Sequence, residues 1–241
     1  MRVISIFICV FLCGSLSEAC AEDITPSFSQ KLDIQVRYDN RSNRPSREQY
    51  RLRYYPSLAL TSTWSVNSFI VTGDDFSSSH NTFGSDTTDY LYARRLYLRH
   101  ETNAGKTELG IIPTYKGRVS STGLSKDGWI TGIRHVRKLQ NNTALEIVVG
   151  QLANAEASEA FNVGEEDEYF EIEYSAKMGG RHSYEASFER MLNGTFARAE
   201  YRFRINEEDT AFVELVQRTD ESAAKIVVGT SGEFAASAFN T

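Results

Sequence analysis

Between residues 28 and 234, apolar and polar residues change places one by one through roughly a dozen segments of eight to twelve residues. Leu32, Ile34, Val36 and Tyr38 interleave with Lys31, Asp33, Gln35 and Arg37. Ala197, Ala199, Tyr201, Phe203 and Ile205 interleave with Arg198, Glu200, Arg202 and Arg204 in the same way. A period of two places each set on one face of a β-strand. The links between segments are by turns short and long, an asymmetry that a soluble sandwich has no reason to show. Strands can cross a membrane only as a closed sheet, because each backbone N–H and C=O needs a partner inside the structure. The expected fold is therefore all-β: an antiparallel up-and-down transmembrane β-barrel of about twelve strands.

The pattern predicts strands over 28–39, 49–60, 63–73, 89–101, 105–112, 128–139, 143–152, 167–176, 182–191, 195–205, 210–218 and 222–234. Links after even strands are tight, as at Thr61-Ser62, Thr102-Asn103-Ala104, Gln140-Asn141-Asn142, Lys177-Met178-Gly179-Gly180-Arg181 and Asn206-Glu207-Glu208-Asp209, with residues that tolerate positive φ or bond their own backbone. Links after odd strands are longer, over 40–47, 73–88, 113–127 and 153–166, with shorter ones at 192–194 and 219–221. Short turns on one side and long loops on the other are the habit of outer-membrane barrels. Tyr50, Tyr54, Trp64, Tyr90, Trp129, Tyr169 and Tyr184 fall near strand ends, where amphipathic rings sit at lipid headgroups. Arg94-Arg95 puts one arginine on each face of its strand unless a bulge turns both the same way.

The first residues read as an export signal: Arg2, an apolar stretch from Val3 to Leu16, and Ala19-Cys20-Ala21 as a small-x-small cleavage site. On this reading residues 1–21 are removed and 22–241 form one barrel domain. All three cysteines, Cys9, Cys13 and Cys20, lie in the leader, so disulfides and thiolate metal sites are not expected. No run of twenty apolar residues offers a helical span. The formal net charge of −6 argues against a nucleic-acid partner. A mean hydropathy of −0.38 is what half-polar strands and polar loops average to.

Chemistry of a catalytic kind finds little support. The histidines His80, His100, His135 and His182 sit in no recognisable nucleophile pattern, so catalytic residues are not assigned and an outer-membrane hydrolase is the weakest reading. Glu165-Glu166-Asp167-Glu168 lacks the spaced ligands and turn glycine of a calcium loop, so neither a metal nor any cofactor is expected. Asn141-Asn142-Thr143 and Asn193-Gly194-Thr195 match glycosylation sequons but read better as turns.

With the apolar residues facing lipid, Arg37, Arg51, Arg53, Arg95, Arg99 and Arg134 point inward from the first half of the wall. Glu146, Glu171, Glu173, Glu185, Glu189 and Glu214 point inward from the second half, with Arg198, Arg202 and Arg204 as a basic exception. Two readings stay open. Either these charges pair across a narrow interior and plug it, giving a structural or adhesive barrel with a salt-bridged lumen, or water keeps them hydrated and they set the preferences of a channel. Twelve strands leave room for a small pore, since about eight are just filled by side chains.

The stretch 49–132 resembles Gram-negative porin-like outer-membrane proteins. The likeness rests on Gln49-Tyr50-Arg51-Leu52-Arg53, Val71-Thr72-Gly73-Asp74-Asp75, Arg94-Arg95-Leu96-Tyr97-Leu98, Gly105-Lys106, Leu109-Gly110-Ile111-Ile112-Pro113 and Ser121-Thr122-Gly123-Leu124-Ser125-Lys126-Asp127-Gly128-Trp129. The chain departs from porins of about 16–18 strands in being smaller, and in ending Phe239-Asn240-Thr241 where such barrels end on an aromatic residue. The resemblance implies the outer membrane of a Gram-negative bacterium, with its lipid, lipopolysaccharide and barrel-insertion machinery as partners. It also implies passive diffusion of small polar or anionic solutes. The link 113–127 holds the ordinal place of the loop that narrows porin channels, which would put Lys116, Arg118, Lys126 and Asp127 at a constriction. Solute and oligomeric state stay open.

Overall fold

The computed structural model describes residues 26–41, 44–72, 80–84, 91–113, 130–152, 169–191 and 194–232. They form one antiparallel sheet of thirteen strands: β1 (Ser27–Arg41), β2 (Arg44–Ala59), β3 (Trp64–Thr72), β4 (Asn81–Thr82), β5 (Leu91–Thr102), β6 (Gly105–Ile112), β7 (Ile130–Lys138), β8 (Thr143–Leu152), β9 (Tyr169–Met178), β10 (His182–Met191), β11 (Gly194–Arg204), β12 (Thr210–Arg218) and β13 (Ala223–Ser231). The twelve long strands neighbour one another in chain order, and β4 joins β2 beside them. The sequence-predicted leader 1–21 lies outside the described residues.

The alternation produces this sheet with an inverted distribution of exposure. Ile34 is 64 % exposed and Val228 75 %, while Glu108, Glu171 and Glu214 are 0 % exposed. Leu109, Ile133, Ile147, Ile172, Val213 and Leu215 form an exposed apolar face, and the charged residues between them are the buried ones. A sheet in water does the opposite, so the outer solvent of this one is apolar.

Turn chemistry sets the short links. Asn141 and Asn142 both take φ of 58°, and Gly179 and Gly180 take 58° and 74°. Two successive positive φ values give the hairpin turn whose twist matches the flanking strands.

The first hairpin differs from expectation. A long link was expected over 40–47, but β1 and β2 stay paired out to Arg41 and Arg44. A polar cross-strand contact holds the extension: Arg47 Nε donates to Asp39 Oδ2 at 3.0 Å. The expected link 73–88 likewise contains β4, whose Asn81 and Thr82 pair with Tyr50 and Gln49 of β2.

Between β3 and β5 the register shifts, so that Phe69 faces Arg95 while Ile70 faces Ala93, leaving Arg94 as the extra residue of a bulge. Arg94 is buried, and the Arg95 guanidinium lies 5.3 Å from the Phe69 ring centroid. Neither arginine is left on the apolar face with Leu96.

One row across the charged face has an unusual composition. Tyr97, Gly110, Gly132, Gly150 and Tyr169 are consecutive cross-strand neighbours from β5 to β9. A Cβ on Gly132 would stand 2.1 Å from the Val149 carbonyl oxygen, and one on Gly150 2.6 Å from that of Thr131. The strands approach too closely there for any other residue. The two tyrosines ending the row are buried together with Ile112, Ile130 and Val148, the apolar core of an otherwise polar face. Tyr169 is thus no part of an interfacial girdle, as its place near a strand end suggested; its ring is inside and its hydroxyl donates to Glu171 Oε2 at 2.7 Å.

Candidate functional site

The charged face carries three groups of interactions, each built by strand register. On β1 and β2 the opposed residues are Asp33 with Arg53, Gln35 with Arg51, and Arg37 with Gln49. Arg53 reaches Asp33 at 3.7 Å, Arg51 donates to Gln35, and Gln49 passes the chain on to Thr82 of β4 at 3.1 Å. His80, just before β4, has Nε2 3.3 Å from Gln35 Oε1. Burial, then the charges of Arg37, Arg51, Arg53 and Arg47, hold its imidazole below the usual range. His80 thus sits in a part of the wall rich in arginine.

The second group centres on Glu108 of β6. Arg99 Nη2 lies 2.7 Å from its Oε1, Lys106 Nζ 3.4 Å from the same atom, and Arg134 Nη1 3.3 Å from Oε2. Arg134 also clasps Glu146 with two parallel bonds, Nε to Oε1 at 2.8 Å and Nη2 to Oε2 at 2.7 Å. This fork geometry fixes a carboxylate in both distance and plane.

The third group centres on Arg198 of β11. Its guanidinium is shared by Glu173 at 3.3 Å, Glu185 at 3.2 Å and Glu214 at 3.4 Å, which come from β9, β10 and β12. Arg202 pairs with Glu185 at 3.1 Å and with Glu200 beside it. Carboxylates that register makes direct neighbours, Glu185 with Glu200 and Glu200 with Glu214, are thereby kept from facing one another uncompensated. Glu171 and Glu189 form a further acidic neighbour pair, with Ser187 donating to Glu189 at 3.4 Å.

Each inward residue named from the sequence in β1 to β12 shares this face. Arg204 lies at its exposed edge, by the 205–209 turn. The structure brings together Arg99 with Arg134, through Glu108, and Arg198 with Arg202, through Glu185. The ion pairs seen between described residues link strands no more than two apart. The sequence-predicted constriction residues Lys116, Arg118, Lys126 and Asp127 lie outside the described residues.

Sequence reasoning did not place Glu108, Glu200, Lys106 or His80 on this wall, whereas Arg94 reaches it through the bulge that the sequence allowed for. For Glu108 a signal existed: counting outward from the Asn103-Ala104 turn pairs Thr102 with Gly105, and hence Arg99 with Glu108. The remaining histidines face the apolar side. His100 stacks on Trp64 at 4.5 Å, His135 contacts Thr107 at 2.9 Å and His182 contacts Tyr201 at 2.6 Å. Among the described residues no three His, Cys, Asp or Glu side chains are placed to hold a metal ion.

Among solved structures, a triple mutant of the Rh. blastica porin superimposes with a TM-score of 0.54 at 10 % identity, over 88 % of this chain and 81 % of that one. The chain has the fold of an outer-membrane porin barrel. A Vibrio cholerae outer membrane protein, OmpT in its in-vitro folded trimer form, is matched at a TM-score of 0.36 and 10 % identity over 88 % of this chain and 85 % of that one, too distant to support an argument. No protein-family model matches the chain, and no curated protein does. In a porin barrel the apolar face meets lipid and the charged face lines the interior, which is the arrangement that burial gives here.

Proposed function

We propose that the protein is a passive diffusion channel of the outer membrane for small polar or anionic solutes. The observation that carries this reading is the direction of the ion pairs. Those seen between described residues run along the wall between nearby strands, so these charges are held by their own side of the interior. A plugged barrel is the second reading, favoured by the complete burial of Glu108, Glu171 and Glu214.

The test uses two neighbouring inward arginines of β2. Arg51 is bonded to neutral Gln35, and the Arg53–Asp33 pair is long and partly exposed. Such a pair contributes about 0–1 kcal/mol. Purified protein refolded into planar bilayers should conduct, and the R51S/R53S variant should shift the zero-current potential toward cation preference while keeping the heat-dependent gel mobility of a folded barrel. Absence of conductance in the unaltered protein would favour the plug. Arg99 is left out because it is bound to buried Glu108.

A further inference from the structure

The interior holds a hollow of about 510 Å³ near the short turns, on the wall formed by β7 to β11. Its size falls within the range of small-molecule sites, about 300–1,000 Å³. It exists because three neighbouring strands carry small residues there: Ala144, Ser175 and Ser183. Register lines them up, with Lys138 opposite Ala144, Ala144 opposite Ser175, and Ser175 opposite Glu185; two residues further along β9, Lys177 stands opposite Ser183.

The charges around the hollow are unequally engaged. Arg134 and Arg202 are committed to Glu146, Glu108, Glu185 and Glu200. Lys138 and Lys177 also line the hollow, and among the described residues neither ammonium has an ion-pair partner. Both are exposed. Strand spacing puts their backbones about 12 Å apart, close enough for two lysine side chains to meet one small anion between them. Glu185 uses Oε2 for both Arg198 and Arg202, leaving Oε1 without a partner among the described residues and able to accept from a hydroxyl. Ser175 and Ser183 add hydroxyls at the base.

Resting on the channel reading above, we infer that this hollow is a solute-binding subsite at the short-turn mouth, for a small hydroxylated carboxylate. The carboxylate sits between Lys138 and Lys177, and the hydroxyls bond to Ser175, Ser183 and Glu185. Two cations without carboxylate partners favour the anion, while the acidic flank at Glu146, Glu173 and Glu185 disfavours a purely anionic ligand without donors of its own.

Gluconate serves as the probe, with acetate supplying the carboxylate alone and glucitol the hydroxyls alone. Gluconate added on the short-turn side should block chloride current through single channels saturably, and acetate or glucitol at equal concentration should block far less. K138Q/K177Q should weaken the gluconate block roughly tenfold, as loss of charge-assisted contacts implies, with the folded gel mobility retained. No block, equal block by acetate, or an undiminished block in the variant would each overturn the inference while leaving the channel standing. Should the unaltered protein not conduct, the channel reading fails by itself. Calorimetric titration of the detergent-folded barrel with gluconate then decides the site: binding lost in K138Q/K177Q supports it, and no binding, or binding unchanged in the variant, overturns it.

Discussion

Arg198→Ala is expected to destabilise the barrel by roughly 3–5 kcal/mol, the cost of leaving buried charges without their partner. The Arg198 side chain is 6 % exposed and lies within 3.4 Å of three carboxylates from three different strands. Its removal leaves Glu214 with no other ion-pair partner among the described residues, and Glu185 with Arg202. Urea unfolding in detergent micelles, followed by gel mobility and tryptophan fluorescence, measures the loss. Arg198→Lys should recover only part of it, since an ammonium cannot reach three carboxylates in the way that a guanidinium fork does. A loss below about 1 kcal/mol would mean that water solvates these glutamates as it does exposed pairs.

Gly132→Ala is expected to impair folding comparably, by about 3 kcal/mol, the upper part of the range for overpacking. Its added methyl group would meet the Val149 carbonyl oxygen at 2.1 Å and the Gly150 Cα at 2.6 Å, both backbone atoms that no side-chain rotation can move aside. The strands would have to separate, breaking the ladder between β7 and β8. The control is Gly179→Ala, whose Cβ would have no atom within 4 Å, although its φ of 58° adds a local strain of its own. The measurements are the yield of heat-modifiable barrel on refolding and the urea midpoint. A Gly132→Ala protein as stable as the unaltered one would mean that the Tyr97–Gly110–Gly132–Gly150–Tyr169 row is wider than described.

Much of the architecture was written locally. Alternation assigned Leu32, Ile34 and Val36 to one face and Asp33, Gln35 and Arg37 to the other without any knowledge of neighbours, because successive side chains of an extended chain must point oppositely. The predicted ranges 105–112, 143–152, 182–191 and 210–218 coincide with β6, β8, β10 and β12, since Asn and Gly residues that accept positive φ mark where the chain reverses. Which face would be buried was also legible, from the charge on one set of positions and the aliphatic character of the other.

Other features depended on residues far apart in the chain. Polar residues from Asn40 to Arg47 look like a loop, yet Asp39 with Arg47 continues the ladder, because a polar side chain suits a strand when its opposite number can bond it. Tyr169 looks interfacial until Gly150 and Gly132 are seen beside it, leaving room for its ring on the inside.

The strands, their two faces and the medium each face meets follow from a period of two and from side-chain polarity alone. Which charge answers which depends on how the strands are laid side by side. Arg198 gathers Glu173, Glu185 and Glu214 from 13 to 25 residues away. Such partnerships are set by the stagger of one strand against the next, and no single strand encodes that stagger.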